Sequence, residues 1–234
     1  MRRALVVAAL AASALAAGVD GASATNECRG LNPCVPVHGP WVVVPVARSA
    51  PRPQVQYQLT CPRGYIVGGL DAEVTDRAID VAFLGTSGSP VNPGISTTRT
   101  VVFVATYTGS AARAPTFRPH AGCIAARGGG RRTPTAVTAV APPGRPTVRR
   151  ALTVRVPAGS TRRIVESCRA GERLIAAYRA RAFFTAQPPP ASAVMSFSAS
   201  QRLRGNGVVV TAHGGAVGRI RAVVQVAVVC AGGR

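Results

Sequence analysis

Lysine is absent from this chain and acids are few: arginine alone supplies 28 basic residues against eight Asp and Glu, for a formal net charge of +20. Codon supply in a GC-rich genome is one source of such an all-arginine, Ala- and Val-rich composition; selection for an anion-binding surface is the other. Aromatics, at 5%, are too sparse for a protein that stacks on single-stranded nucleic acid, and no motif that reads nucleic-acid sequence is present. No C-x-x-C or H-x-x-x-H spacing offers a metal centre, alone or with His38, His120 and His213, so no metal and no cofactor is expected. Ser87-Gly88-Ser89 is not a G-x-S-x-G elbow, and neither His120 nor His213 is tied by pattern to a serine or an acid. No catalytic constellation is legible, and the chain reads as a non-enzyme.

Charge is scarce as a fraction too. Charged residues make up 15% and hydrophobic residues 47%, too apolar and too weakly charged for a disordered polyelectrolyte. The chain should fold, and its 234 residues suffice for one large all-β domain or two ordinary ones. No apolar run reaches the ~20 residues of a membrane span. The nearest, Ala4 to Ala17, follows Arg2-Arg3 and precedes an A-x-A site at Ala22-Ser23-Ala24, the pattern of a signal peptide over 1–24 cleaved near Ala24. The mature chain is therefore expected to be secreted or held at the extracellular envelope, without a transmembrane segment.

Cysteine is what the chain does have. Six cysteines, Cys28, Cys34, Cys61, Cys123, Cys168 and Cys230, lie beyond the leader, and an even number in an exported chain favours disulfides. Cys61 and Cys123 are 62 positions apart, as are Cys168 and Cys230. Each segment opens Cys-x-x-Gly, with Gly64 matching Gly171. Without a gap, Val101 to Ala105 falls on Val208 to Ala212. The coincidence predicts a duplicated module closed by its own bridge, and leaves Cys28 to close a small ring with Cys34.

Frequent Gly and Pro between short apolar runs predict β-sandwich architecture: two tandem disulfide-stapled modules, with one pseudo-symmetric β domain as the alternative. The divisions are an N-terminal segment over 25–40, module 1 over 41–123, a Gly/Pro/Arg-rich linker over 124–150, module 2 over 151–230 and a tail over 231–234. Strands are expected at Trp41–Val46, with Pro45 marking an edge, at Val55–Cys61, at Tyr65–Val67 broken by Gly68-Gly69, and at Val81–Leu84 and Val101–Tyr107. In the second half they are expected at Leu152–Val156, Arg163–Cys168, Val194–Ser198, Val208–Ala212 and Ile220–Cys230, and at Leu174–Phe184, where the Ala- and Arg-rich composition offers a helix as the alternative but Arg179 and Arg181 alternate with apolar neighbours. Ile220–Cys230 is nearly continuous in Val and Ala and should be central in its sheet.

The stretch Cys61-Pro62-Arg63-Gly64-Tyr65-Ile66-Val67-Gly68-Gly69 resembles a Cys-Pro-x-Gly-x-x-Val-x-Gly repeat of uncharacterised exported bacterial β-rich proteins, closed by a cysteine some 60 residues on. The resemblance covers Gln54 to Cys123. In the second copy Arg169 replaces the proline and no Gly-Gly pair follows. It implies an exported β-rich fold and supplies no activity and no catalytic residues.

Two polar features remain. Asp71, Glu73, Asp76 and Asp80 are half of all the acids within ten residues, a weak calcium candidate without the D-x-D-x-D-G loop and a still weaker acid/base pair for a hydrolase. The corresponding stretch of the second half carries Arg179 and Arg181, so the acids of one half are expected either to meet arginines of the other or simply to solvate a loop. From Val81 through Val165 there are twelve arginines and no acid. Arg127, Arg131, Arg132, Arg145, Arg149, Arg150, Arg162 and Arg163 are accordingly the candidates for binding an extracellular polyanion, such as a cell-surface polymer, anionic polysaccharide or lipid headgroups. The expected function is a secreted non-enzymatic binding or envelope-structural protein.

Overall fold

The computed structural model describes residues 25–31, 33–47, 51–85, 98–110, 115–126 and 147–232. The expected signal peptide over 1–24 and most of the expected linker over 124–150 lie outside them. No helix among the described residues is long and apolar enough to cross a membrane.

The chain is all-β, with one large curled sheet and two small ones, all antiparallel. The large sheet has seven strands: β1 (Val35–His38), β2 (Trp41–Val43), β4 (Tyr65–Val74), β7 (Thr116–Ala125), β8 (Thr147–Arg155), β10 (Glu172–Phe184) and β13 (Arg221–Gly232). One small sheet orders β3 (Gln54–Thr60), β6 (Thr100–Tyr107) and β5 (Ile79–Leu84) as β3-β6-β5. The other orders β9 (Thr161–Ser167), β11 (Ser198–Arg204) and β12 (Gly207–His213) as β11-β12-β9.

Two tandem sandwiches are not separately delimited, because β2 joins the halves. Val42 and Val43 pair with Phe117 and Thr116 of β7, while Trp41 and Val42 pair with Phe183 and Ala182 of β10. Side-chain alternation then sends neighbouring residues into different cores. Val42, Val44, Ala180, Ala182 and Val223 pack with Tyr57, Phe103 and Phe117 under β3-β6-β5. Val43, Phe183, Ala222 and Val224 pack with Val194, Phe197 and Val210 under β11-β12-β9. The shared stretch of sheet is thus buried on both faces, which is why β13 reads as an almost unbroken Val/Ala run between β10 and β8.

Several local expectations change for identifiable reasons. Pro45 does not make β2 an edge strand: β2 ends at Val43, so the proline owes no hydrogen bond to the ladder. Gly68-Gly69 does not end β4, since a register shift between Val67 and Gly69 absorbs the irregularity and pairing runs on to Val74. Strand β7 is central despite Pro119 and Gly122, residues that mask its pattern, and β1 lies within the N-terminal segment over 25–40, where no strand is expected from the sequence. Strands β7 and β8 also take up both ends of the expected linker. Val194–Ser198 is not a strand; the short helix α1 (Ala191–Ser196) follows the proline corner, buries Val194 and delivers Phe197 edge-on to Phe183, ring centroids 5.4 Å apart.

Candidate functional site

All six cysteines pair, Cys28 with Cys34, Cys61 with Cys123 and Cys168 with Cys230, and the two long bridges both span 62 residues. Each long bridge ties the residue just after a small-sheet strand, β3 or β9, to a large-sheet strand, β7 or β13. Three such bridges belong to an oxidising, extracellular kind of compartment.

The four clustered acids separate. Asp71 accepts hydrogen bonds from the Asn26 N–H at 2.6 Å and from the Ala72 N–H at 2.8 Å. Asp76 accepts from the Ala78 N–H and the Tyr107 hydroxyl. Asp80 lies on β5, in a different sheet from Asp71 and Glu73. Glu73 reaches diagonally to His120 on the neighbouring β7. These groups do not converge on a single calcium loop or acid/base pair. Arg179 and Arg181 do not meet them either: the former donates to the carbonyl of Ala199, the latter to those of Val194 and Phe197.

Of the arginine candidates, Arg127, Arg131, Arg132 and Arg145 lie outside the described residues. Arg150 is held by Glu172 through two bonds of 2.6 and 2.7 Å. Arg149 donates to the Gln56 side chain at 2.6 Å and lies over the Tyr178 ring, 5.1 Å from its centroid, and burial pulls its pKa down to about 10. Arg162 and Arg163 are exposed on β9, where Arg163 stands opposite Thr211.

Beside Tyr178 a groove of about 470 Å³ runs where the halves meet. Val43, Pro45, Gln54 and Val55 line one side, Tyr178, Arg179, Arg181 and Gln201 the other. No acid is among the described residues that line it. Burial lowers the pKa of both arginines, and Arg179 adds to the effect on Arg181, yet both stay cationic at neutral pH. A guanidinium has five N–H donors, so the carbonyl bonds orient these groups without exhausting them.

A second cluster is built on β7. Its odd-numbered Phe117, Ala121 and Cys123 face the core, and its even-numbered His120 and Gly122 face the N-terminal segment that carries the Cys28–Cys34 ring. That segment comes exceptionally close. A Cβ on Gly69 would sit 1.8 Å from the Glu27 carbonyl oxygen, and one on Gly122, its partner in register, 2.0 Å from the same atom. The paired glycines therefore seat Glu27, 3% exposed, against β4 and β7. There its carboxylate meets His38 of β1, Nε2 to Oε1 3.0 Å. His38 is the cross-strand partner of His120, and the rings meet edge-on at 4.5 Å. His120, 1% exposed, has Nε2 3.3 Å from Glu73 Oε1, but neither ring nitrogen makes a hydrogen bond. Burial, then the His38 ring, push the pKa of His120 down against the pull of Glu73 and Glu27. The Glu27 pKa is also lowered: burial is the largest single influence and raises it, but hydrogen bonds from its own backbone, Thr25 and His38 together outweigh that.

No protein-family model, curated protein or solved structure matches this chain.

Among the described residues, two groups of three bring ligating atoms within 4.8 Å of one another: Glu27, His38 and His120, and Cys168, Glu172 and Cys230. The second has both sulfurs committed to a disulfide. The first is invisible as a motif because its members come from separate segments. The usable signals are the Gly68-Gly69 pair and Gly122, which mark a close backbone approach without naming what approaches.

Proposed function

We propose that this chain is an exported, non-enzymatic binding protein of the cell exterior or envelope, and that it holds an anionic polymer in the groove along β10. The observation that carries this reading is a concave site walled by Arg179 and Arg181, with Tyr178, Gln54 and Gln201 beside them and no acid among its described lining residues. Concavity lets a ligand touch several groups at once, and low-dielectric walls strengthen the field of both cations. Exposed Arg162 and Arg163 add to the positive potential of the second half. Export is supported by the leader pattern over 1–24, by the Cys-Pro-x-Gly resemblance and by the three bridges.

The same reading takes the halves as copies of one unit. In each, a strand running into a cysteine pairs with a later strand of its small sheet, β3 with β6 and β9 with β12, and an equal-length bridge crosses to the large sheet. Continuity through β2 favours one pseudo-symmetric domain over two independent modules.

The test is binding of the exported chain to heparin and to inorganic polyphosphate at low and high salt. Affinity should fall steeply with salt, as it does when bound counterions are released. R179Q, at an exposed position, should weaken it while the far-ultraviolet spectrum stays unchanged. Salt-insensitive binding, or R179Q and R162Q/R163Q variants that bind like the parent, would overturn the reading.

A further inference from the structure

The geometry points to a divalent transition-metal site at Glu27, His38, His120 and Glu73, most suited to Zn²⁺. The four side chains come from the bridged N-terminal segment, β1, β7 and β4, and the fold collects them over one spot on the outer face of the large sheet. Ligands of a tetrahedral zinc sit at about 2.0–2.1 Å from the ion, which places neighbouring ligand atoms roughly 3.3 Å apart. Here Glu27 Oε1 and His38 Nε2 are 3.0 Å apart, His120 Nε2 and Glu73 Oε1 3.3 Å, and one ligand atom each of Glu27, His38 and His120 fall within 4.8 Å of one another. Glu73 stands outside that group of three, beside His120, and a rotation of its side chain toward Glu27 and His38 would complete a four-ligand shell.

Unmet polar atoms carry the argument further. Glu27 Oε2 and both ring nitrogens of His120 are buried without a hydrogen bond. An orphaned buried polar atom is costly, and three within one cluster require a common reason. A cation supplies it for His120 Nε2 and for the Glu27 carboxylate, taking a lone pair from each, and leaves His120 Nδ1 to carry the ring proton. It also balances charge: two carboxylates and a divalent ion are neutral together, which suits a site where Glu27 and His120 are almost wholly buried.

The donor set selects the metal class. Two imidazoles with two carboxylates suit Zn²⁺ and its neighbours Co²⁺ and Ni²⁺. Ca²⁺ and Mg²⁺ prefer oxygen alone, and Cu(I) prefers sulfur. With His38 partly exposed at 42% of its side chain, an ion has an entry path from solvent. The metal would pin the N-terminal segment to β7 alongside the Cys28–Cys34 ring, and its coordination by four protein groups marks a structural rather than a catalytic centre.

The test uses the exported chain stripped with a chelator and titrated with Zn²⁺ by calorimetry, with Co²⁺ as a spectroscopic stand-in. One Zn²⁺ per chain is expected, with intense tetrahedral Co²⁺ bands and a melting temperature that rises with free Zn²⁺. H38A, at a half-exposed ring, and E73Q should each fold and weaken binding by more than about tenfold. D80N, in another sheet, should leave it unchanged. No binding by the parent chain, full-affinity binding by both H38A and E73Q, or displacement of Zn²⁺ by equimolar Ca²⁺ would overturn the proposal.

Discussion

The side-chain amide of Gln225 pairs with the backbone of Gln58, 167 residues away, as though it were one residue of a neighbouring strand. Its Oε1 accepts the Gln58 N–H at 2.6 Å, and its Nε2 donates to the Gln58 carbonyl at 3.0 Å and to Thr153 Oγ1 at 3.1 Å. Strand β3 is the edge of its sheet, so without this amide both Gln58 groups, at a partly buried position, would have no ladder partner. One buried glutamine of β13 thereby docks the small sheet of the first half onto a strand of the second.

Replacing Gln225 with the similarly sized Leu should cost about 1–3 kcal/mol for each backbone group left unpaired. Urea unfolding of Q225L against the parent measures it. A loss below about 1 kcal/mol in total would mean that water or a shifted strand satisfies Gln58 instead.

The two long bridges should each contribute more than the short one. In the chain-entropy model a loop of about 60 residues corresponds to roughly 4 kcal/mol and a ring of about 7 residues to roughly 2.4 kcal/mol. Paired serine variants compared by thermal unfolding should rank C61S/C123S and C168S/C230S together, and C28S/C34S as the mildest.

Gly122→Ala should displace the Glu27 segment, because the added methyl would meet the Glu27 carbonyl at 2.0 Å. Overpacking of this kind typically costs about 1–3 kcal/mol. The result expected is faster hydrogen exchange and proteolysis confined to the N-terminal segment, with the rest of the sheet unaffected. G64A makes a useful contrast: a Cβ there would meet nothing within 4 Å, but φ is +83°, so its cost is backbone strain alone.

The Arg150–Glu172 pair predicts a low-pH dependence. Hydrogen bonds from Arg150, then from the Arg169 N–H, hold the Glu172 pKa below the 4.5 of a free side chain. A carboxyl with a depressed folded-state pKa stabilises the protein above its unfolded value, and that contribution disappears as pH falls through the folded one. R150M should therefore be less stable than the parent above pH 4.5, and the gap should close under more acid conditions. A gap that stays constant from neutral pH into strong acid would point to packing rather than the ion pair.

The strands that alternate cleanly or run apolar without interruption, β3, β6, β12 and β13, are legible in the sequence because each carries its own periodicity, whereas the Ala- and Arg-rich β10 suits a helix by composition and a strand by the spacing of Arg179 and Arg181. Strand β7 is not. Its Pro119 and Gly122 weaken the pattern, and what stabilises it is pairing with β1, β2 and β4, partners distant in the chain. Helix α1 escapes local pattern for a similar reason: Val194 and Phe197 fill the second core, and three prolines fix the angle of entry. Of the site, only Glu73 stands out in the sequence as a ligand, and for a different metal. Glu27 has the local pattern of an isolated surface acid, whereas the fold buries it against His38 and His120.

What the sequence determined by itself was the β class and the bridge pairing, since these rest on composition, local period and the equal spacing of cysteines. What only the tertiary structure decided was the joining of both halves through β2, the docking of Gln58 by Gln225, and the gathering of Glu27, His38, Glu73 and His120. Those depend on which strand edges meet and how closely two backbones approach, and such long-range geometry leaves in the local sequence only a glycine where a side chain would not fit.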